Sequence, residues 1–207
     1  MFKKLIMNCR YPQGFLGNIM LGLMNKGHGS LIRQVLKQQT SKSTDVILDI
    51  GCGGGIAINY MAQKAQKVYG IDYSETAVQK SQDKNKKYIA ENKVEITQAN
   101  VDDLSFVPET FDLVTAFETV YFWPNLTKNF ANIYKMLKPQ GKFVIAVEAY
   151  MENGEAKNFS KLWDCLDCKL YSAEEFQTML QEAGFATTFV EKGNGLMTWL
   201  SVSGVKN

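Results

Sequence analysis

The sequence predicts an α/β fold: one doubly wound, mostly parallel sheet of seven strands, ending in a C-terminal antiparallel hairpin strand, with helices on both faces. Three observations predict it. Short apolar runs alternate with amphipathic segments from residue 45 onward, the pattern of strands buried on both faces by crossover helices. The last two runs flank Gly193-Asn194-Gly195, a hairpin signal. The length of 207 residues suits one domain that buries its own core without staples.

The elements follow in order. Asp45-Val-Ile-Leu-Asp-Ile50 is a continuous apolar run bounded by turn residues, as a buried parallel strand is. A helix is expected over Ile56–Lys64 and a second strand over Lys67–Asp72. Ser74 can N-cap the helix that runs to Glu91. Val94–Thr97 alternates and forms a third strand, and Phe111–Phe117 a fourth. Leu126, Phe130, Ile133, Tyr134 and Leu137 share one helical face, and Pro139 and Gly141 are expected to stop that helix. Lys142–Val147 is the fifth strand. Ser172-Ala-Glu-Glu175 is a capping box, and Gly184 ends its helix. Phe185–Glu191 and Leu196–Ser203 make the hairpin. Right-handed crossovers then wind the sheet both ways. Such sheets bind ligands beyond the carboxyl ends of their strands, at the point where strand order reverses.

Composition excludes several classes. The net charge is +2, with no basic stripe for a polyanion, so nucleic acid is not an expected partner. The densest cluster, Lys84-Asn-Lys-Lys87, reads as the solvated face of a helix. No run reaches the roughly 18 apolar residues of a membrane helix, and the N-terminus lacks the apolar core of a signal peptide. A cytoplasmic protein, not bound to membrane, is expected. Its cysteines, Cys9, Cys52, Cys165 and Cys168, should then be free thiols. Cys165-Leu-Asp-Cys168 is a CxxC, but a four-ligand site would need Cys9, Cys52 or the single His28 as well. No metal is expected.

Two features carry chemistry. After the first strand comes Asp49-Ile-Gly51-Cys52-Gly53-Gly54-Gly55, where glycine permits a tight turn and close approach of a ligand to the main chain. After the second strand comes Asp72, a carboxylate suited to the two hydroxyls of a ribose. Either would suit any adenosine cofactor. The spacing separates the cases. A dinucleotide fingerprint, GxGxxG, counted from Gly51 requires glycine where Ile56 stands. The pattern present is DxGxGxG, and a nicotinamide-dependent oxidoreductase is the weaker reading.

With these residues the chain resembles the class I S-adenosylmethionine-dependent methyltransferases, and within them the small enzymes of the ubiquinone/menaquinone-biosynthesis type. The resemblance rests on five blocks in order: Val46–Gly55, Val68–Val78, Asn100–Phe106, Phe111–Leu126 and Ile133–Ile145. It implies a Rossmann-like sheet and S-adenosyl-L-methionine as cofactor. Gly51, Cys52, Gly53 and Gly55 would pass under the methionine moiety, and Asp49 would hold its ammonium. Asp72 would take the ribose and Tyr73 would lie against the adenine. Asn100 stands where the family usually has an acidic residue for the adenine amino group, with Asp102 and Asp103 close by. The Val101 N–H would reach a ring nitrogen. Phe117 and Glu118 would border the reacting methyl.

The remaining expectations concern the acceptor. One domain, 1–207, is read as an N-terminal helical cover (1–44), a cofactor-binding core (45–148), a lid over the acceptor (149–171) and a C-terminal helix and hairpin (172–207). Tyr121, Phe122, Trp123 and Trp163 are the expected walls of the acceptor pocket. Glu118 and His28 are its candidate catalytic groups, although a lone histidine is more often an ordinary packed residue. The expected partner is a small-molecule acceptor. A protein that binds the cofactor without catalysis would share every cofactor residue and lack only a usable acceptor pocket.

Overall fold

The computed structural model describes residues 7–39, 42–158, 168–193 and 198–207. Two helices, α1 (Gly14–Gly27) and α2 (Gly29–Gln38), precede the sheet. Then come β1 (Val46–Ile50), α3 (Ile56–Ala62), β2 (Lys67–Asp72), α4 (Glu75–Ala90), β3 (Val94–Gln98) and β4 (Phe111–Phe117). They are followed by α5 (Leu126–Met136), β5 (Leu137–Val147), β6 (Tyr150–Glu152), β7 (Glu155–Lys157), α6 (Ala173–Glu182), β8 (Thr187–Gly193) and β9 (Trp199–Val205). The main sheet has seven strands in the order β3-β2-β1-β4-β5-β9-β8, and β6 pairs with β7 separately. The first five run parallel, β9 runs antiparallel to β5, and β8, antiparallel to β9, runs in the direction of the first five. Strand order reverses between β1 and β4, so the carboxyl ends of those two strands flank the switch point.

The apolar strands supply two cores, because successive side chains leave a strand on opposite faces. Leu48, Ile50, Val114, Ala116, Phe143 and Ile145 pack with Phe130 and Ile133 of α5 and Phe176 and Leu180 of α6. Ile47, Leu113, Phe117, Val144 and Ala146 pack on the other face with α2 and α3, through Leu31, Ile32, Val35, Ile58 and Met61. The Ser74 hydroxyl accepts from the Ala77 N–H and starts α4, and the Ser172–Glu175 capping box starts α6. No helix among the described residues is long and apolar enough to cross a membrane.

Several boundaries differ from expectation. Helix α3 ends at Ala62, two residues before Lys64. Helix α5 ends at Met136, and Leu137 already pairs with Phe111 as the first residue of β5. The register then jumps so that Leu113 faces Lys142, and Pro139 and Gln140, the latter at φ +65°, fall in the bulge. The proline, two residues past the helix C-cap Leu137, stands where a helix stop is expected and at the same time falls in an irregularity of the strand, which its missing N–H allows. Strand β8 begins at Thr187 because Phe185 belongs to the end of α6. Its N–H donates to the Leu180 carbonyl past Gly184 at φ +107°, and its ring packs on Tyr134. β8 runs on through Gly193, while Asn194, Gly195 and Leu196 lie outside the described residues. Of the stretch 149–171, Tyr150–Lys157 forms the β6–β7 hairpin, and Trp163 and Cys165 lie outside the described residues.

Candidate functional site

The glycine loop turns at the end of β1 because two of its N–H groups, those of Gly51 and Cys52, donate to the Ile71 carbonyl of β2 at 2.8 and 2.9 Å. The turn requires glycine. Gly51 and Gly55 have φ of +73° and +77°, a region where L side chains are strained. A Cβ on Gly51 would lie 2.3 Å from the Thr119 hydroxyl oxygen, and one on Gly55 2.3 Å from that of Ser81. Between them the Cys52 thiol is buried 3.8 Å from Ser81 Oγ, and burial foremost raises it well above an ordinary thiol. It is a packing thiol and not a nucleophile.

Asp72, at the end of β2, ties the loop to its own strand. Its Oδ2 accepts from the Gly53 N–H and its Oδ1 from the Ser74 N–H, both at 2.9 Å. Asp49 is 2% exposed, and its Oδ1 accepts from the Thr115 hydroxyl of β4 at 2.7 Å. Burial drives its pKa to about 7; the Thr115 bond opposes the rise and the Asp72 charge adds to it. A carboxylate so poorly solvated is stabilised in its ionised form by a cation placed beside it. The site thus fits an ammonium-bearing ligand.

Two adjoining chambers open here. One is a cavity of about 70 Å³ between the glycine loop and α1, lined by Met24 and Asn25 of α1 and by His28 at its C-terminal end, together with Asp49 and Phe117. The Asn25 amide donates to the Gly54 carbonyl at 3.0 Å and latches α1 onto the loop. The other, about 450 Å³, lies beyond β2 and β3, against Asn100, Val101, Tyr121 and Trp123. Gly51, Asp72, Tyr73, Thr119 and Phe122 border both. Tyr73 is half exposed; its ring packs on Tyr11 with centroids 4.9 Å apart, and its hydroxyl donates to the Arg10 carbonyl. Asn100 lies in the second chamber, but its side-chain oxygen already accepts from the Asp102 N–H at 3.2 Å as the cap of a short 3-10 turn, leaving one lone pair.

The ends of β4 and β5 form a different cluster. Glu118 is buried at φ +56°. Its Oε2 accepts from the Tyr121 hydroxyl at 2.6 Å and its Oε1 from the Glu148 N–H. The Glu148 carboxylate meets His28 Nδ1 at 3.1 Å. Burial foremost raises the Glu118 pKa, opposed by His28. For His28, burial alone would lower the pKa, but the Glu148 bond and the charges of Glu118 and Glu148 outweigh it and the net shift is upward. Sequence reasoning singled out His28 and Glu118 and missed Glu148. Its one signal is a carboxylate just past the carboxyl end of a central strand.

The aromatic run divides. Phe122 lies between the chambers, with the Arg10 guanidinium 5.8 Å from its ring centre. Tyr121 and Trp123 are buried. The Trp123 indole N–H donates to Thr119 Oγ1 at 3.2 Å, and its ring lies against Phe130 and Phe143 of the core. Both side chains reach the second chamber from that buried position. Trp163 lies outside the described residues.

Comparison with known proteins finds similarity over the core of the chain. A methyltransferase-domain family model matches residues 48–145. A sterol 24-C-methyltransferase of Clavispora lusitaniae is 29% identical over 148 residues, covering 67% of this chain and 39% of the relative. The mitochondrial ubiquinone biosynthesis O-methyltransferase of Schizosaccharomyces pombe is 29% identical over 135 residues, 63% of this chain and 47% of the relative. The chain thus spans less than half the length of these two curated relatives. Among solved structures, Haemonchus contortus phosphoethanolamine N-methyltransferase 2 with S-adenosyl-L-methionine superposes with a TM-score of 0.69 at 18% identity, covering 95% of this chain and 53% of that one, a shared fold. Residues 48–145, a little under half of the chain, carry the match to the methyltransferase-domain family, and S-adenosyl-L-methionine-dependent methyltransferases are what the chain is similar to.

Proposed function

We propose that the chain transfers a methyl group from S-adenosyl-L-methionine to a small, partly apolar organic acceptor. The observation that carries this reading is the pair of adjoining chambers with Asp72 and Gly51 between them. Asp72 is taken to hold the ribose at the shared border. Tyr73, Asn100 and Val101 take the adenine in the second chamber, and Asp49 and the loop Gly51–Gly55 take the methionine part in the first. The cofactor supplies a methyl carbon on a sulfonium, already activated for displacement. The chain's own residues have to align the acceptor and exclude water, which can lower a barrier by about 7–11 kcal/mol in favourable cases.

The acceptor is inferred from the walls. Phe117 and Phe122 offer apolar walls and Glu118 and His28 stand beside them as polar groups, a combination small-molecule sites use. The net charge of +2 provides no footprint for a polyanion. The curated relatives are named for sterol and ubiquinone chemistry, which supports a small acceptor. Calorimetric titration tests the cofactor half: S-adenosylhomocysteine should bind at micromolar concentration and NAD should not. A screen of small phenols, quinols, amines and sterols, read as S-adenosylhomocysteine formed, tests the other half. NAD binding without a response to S-adenosylhomocysteine, or methylation of bulk RNA in preference to every small acceptor, would overturn the reading.

A further inference from the structure

We propose that His28 takes the proton of the methyl acceptor, with Glu148 as its positioning residue, so that the acceptor is a molecule presenting an O–H or N–H acid. The proposal rests on the methyltransferase reading above. It starts from how the three groups at the ends of β4 and β5 use their atoms. Both oxygens of Glu118 already accept hydrogen bonds, from the Tyr121 hydroxyl and the Glu148 N–H, which makes Glu118 a poor proton acceptor and a good brace for the end of β5. Glu148, so held, meets His28 at Nδ1. A carboxylate on Nδ1 fixes the tautomer with its proton there and leaves Nε2 as the basic atom. The His28 imidazole has no other hydrogen bond among the described residues, and it lines the chamber between α1 and the glycine loop.

The step balances without a further reagent. The acceptor's oxygen or nitrogen lone pair forms the new bond to the methyl carbon. The carbon–sulfur bond breaks with its electron pair left on sulfur, and the acceptor proton passes to Nε2. The imidazolium so formed is offset by Glu148 and later loses the proton to water. The groups facing the imidazole are Glu148 from the end of β5 and Glu118 from the end of β4. Asp49 and Asp72 from β1 and β2, and Cys9 and Arg10 from the segment before α1, line the same chamber. The net effect of the two glutamates is to keep the imidazole protonated to higher pH than an isolated one, which is the direction that makes Nε2 the stronger base.

His28 is the only histidine in the chain, so its imidazole signals in an NMR titration of the intact protein need no assignment. The wild type should titrate above the ordinary histidine value with the proton on Nδ1. Glu148→Gln keeps an acceptor but removes the charge. It should lower that pKa, move the acidic limb of the rate profile with it, and leave S-adenosylhomocysteine affinity within about twofold. Glu148→Ala loses both and should also lower kcat with KM little changed. His28→Asn should cost on the order of 10²-fold or more in kcat. An imidazole that titrates normally and ignores Glu148→Gln overturns the proposal. So does a rate profile without that limb, or cofactor binding with turnover on no O–H or N–H acceptor of the screen. The ligating atoms of His28, Glu118 and Glu148 lie within 4.8 Å of one another, so Zn²⁺ and Mn²⁺ are titrated as well. Stoichiometric binding lost in Glu148→Gln would make the three a metal site and also overturn the proposal. Failure of S-adenosylhomocysteine to bind the wild type would instead overturn the underlying methyltransferase reading.

Discussion

The carboxyl ends of β1 and β2 and those of β4 and β5 sit side by side at the same switch point, yet they are built in opposite ways. At β1 and β2 the polar groups are main-chain N–H groups and two aspartates within 24 positions of each other, from Asp49 to Asp72. The strand ends and the turn after them hold the geometry, and side chains are excluded by backbone conformation. At β4 and β5 the polar groups are long side chains, and each is positioned by another from a distant part of the chain. Glu148 bonds across 120 positions to His28, and its N–H across 30 to Glu118. The first arrangement suits a ligand whose shape does not vary, and the second can be retuned by one substitution. Under the proposed function, cofactor and acceptor make those two demands.

The largest expected effect falls where the two regions touch. Gly51 packs against Thr119, whose hydroxyl also takes the Trp123 indole N–H. Gly51→Ala would combine a strained positive φ with a Cβ 2.3 Å from the Thr119 oxygen and 2.8 Å from its Cβ. We expect a loss of stability of about 2–4 kcal/mol and no measurable S-adenosylhomocysteine binding, by thermal denaturation and calorimetry. Near-normal binding would mean that the two strand ends are not coupled through this contact. Asp72→Ala comes next. It removes the proposed ribose acceptor and strands the N–H groups of Gly53 and Ser74, so affinity should fall by about 10- to 100-fold, 1–3 kcal/mol. Unchanged affinity in a folded variant would move the ribose contact elsewhere.

How legible each region was follows from the same contrast. A turn that needs glycine at Gly51 and Gly55 and a carboxylate at the next strand end are local demands, and they are written in adjacent residues. The apolar runs that make β1, β2 and β4 are legible for the same reason. The meeting of His28, Glu118 and Glu148 is a product of strand order and of how α1 and α2 lie on the sheet, which no local pattern encodes. Trp123 shows the limit from the other side. Its aromatic run predicts a pocket wall, and the side chain does line the second chamber, but its packing against Phe130 and Phe143 depends on the tertiary fold. Pro139 marks the end of α5 in the sequence, but the bulge it enters in β5 is set by pairing with β4.

Asp49 sharpens the comparison through pH. Its folded pKa of about 7 exceeds the ordinary 3.8, so the folded protein holds a proton that the unfolded chain releases between about pH 4 and pH 7. Stability therefore falls as pH rises through that window, and the penalty is complete above pH 7. Asp49→Asn mimics the protonated form. The ligand-free variant should be more stable than wild type at pH 8, with a melting temperature raised by about 2–4 °C for each kcal/mol recovered, and indistinguishable from it at pH 4. Its S-adenosyl-L-methionine affinity should drop about tenfold or more through loss of a charged partner for the ammonium. A variant that gains no stability at pH 8 would mean that Asp49 is not held at that cost for a cation.

The smallest expected effect concerns the cover that α1 forms over the first chamber. Asn25→Ala removes one hydrogen bond, from the Asn25 amide to the Gly54 carbonyl at 3.0 Å. A single such bond contributes about 0.5–1.5 kcal/mol net, and water can replace it whenever the helix lifts. Cofactor affinity should therefore fall only about two- to tenfold. Because the bond closes a cover and does not steer encounter, the change should appear in the dissociation rate of S-adenosylhomocysteine and not in its association rate. Gly54 offers an independent way to open the same latch. A Cβ there would lie 2.3 Å from the Asn25 amide nitrogen, so Gly54→Ala pushes away the group that Asn25→Ala deletes. If the latch is the shared cause, the two substitutions are not additive, and the double variant releases S-adenosylhomocysteine about as fast as the faster single one. Rates that multiply would assign the two residues separate roles and leave α1 without a part in retaining the cofactor.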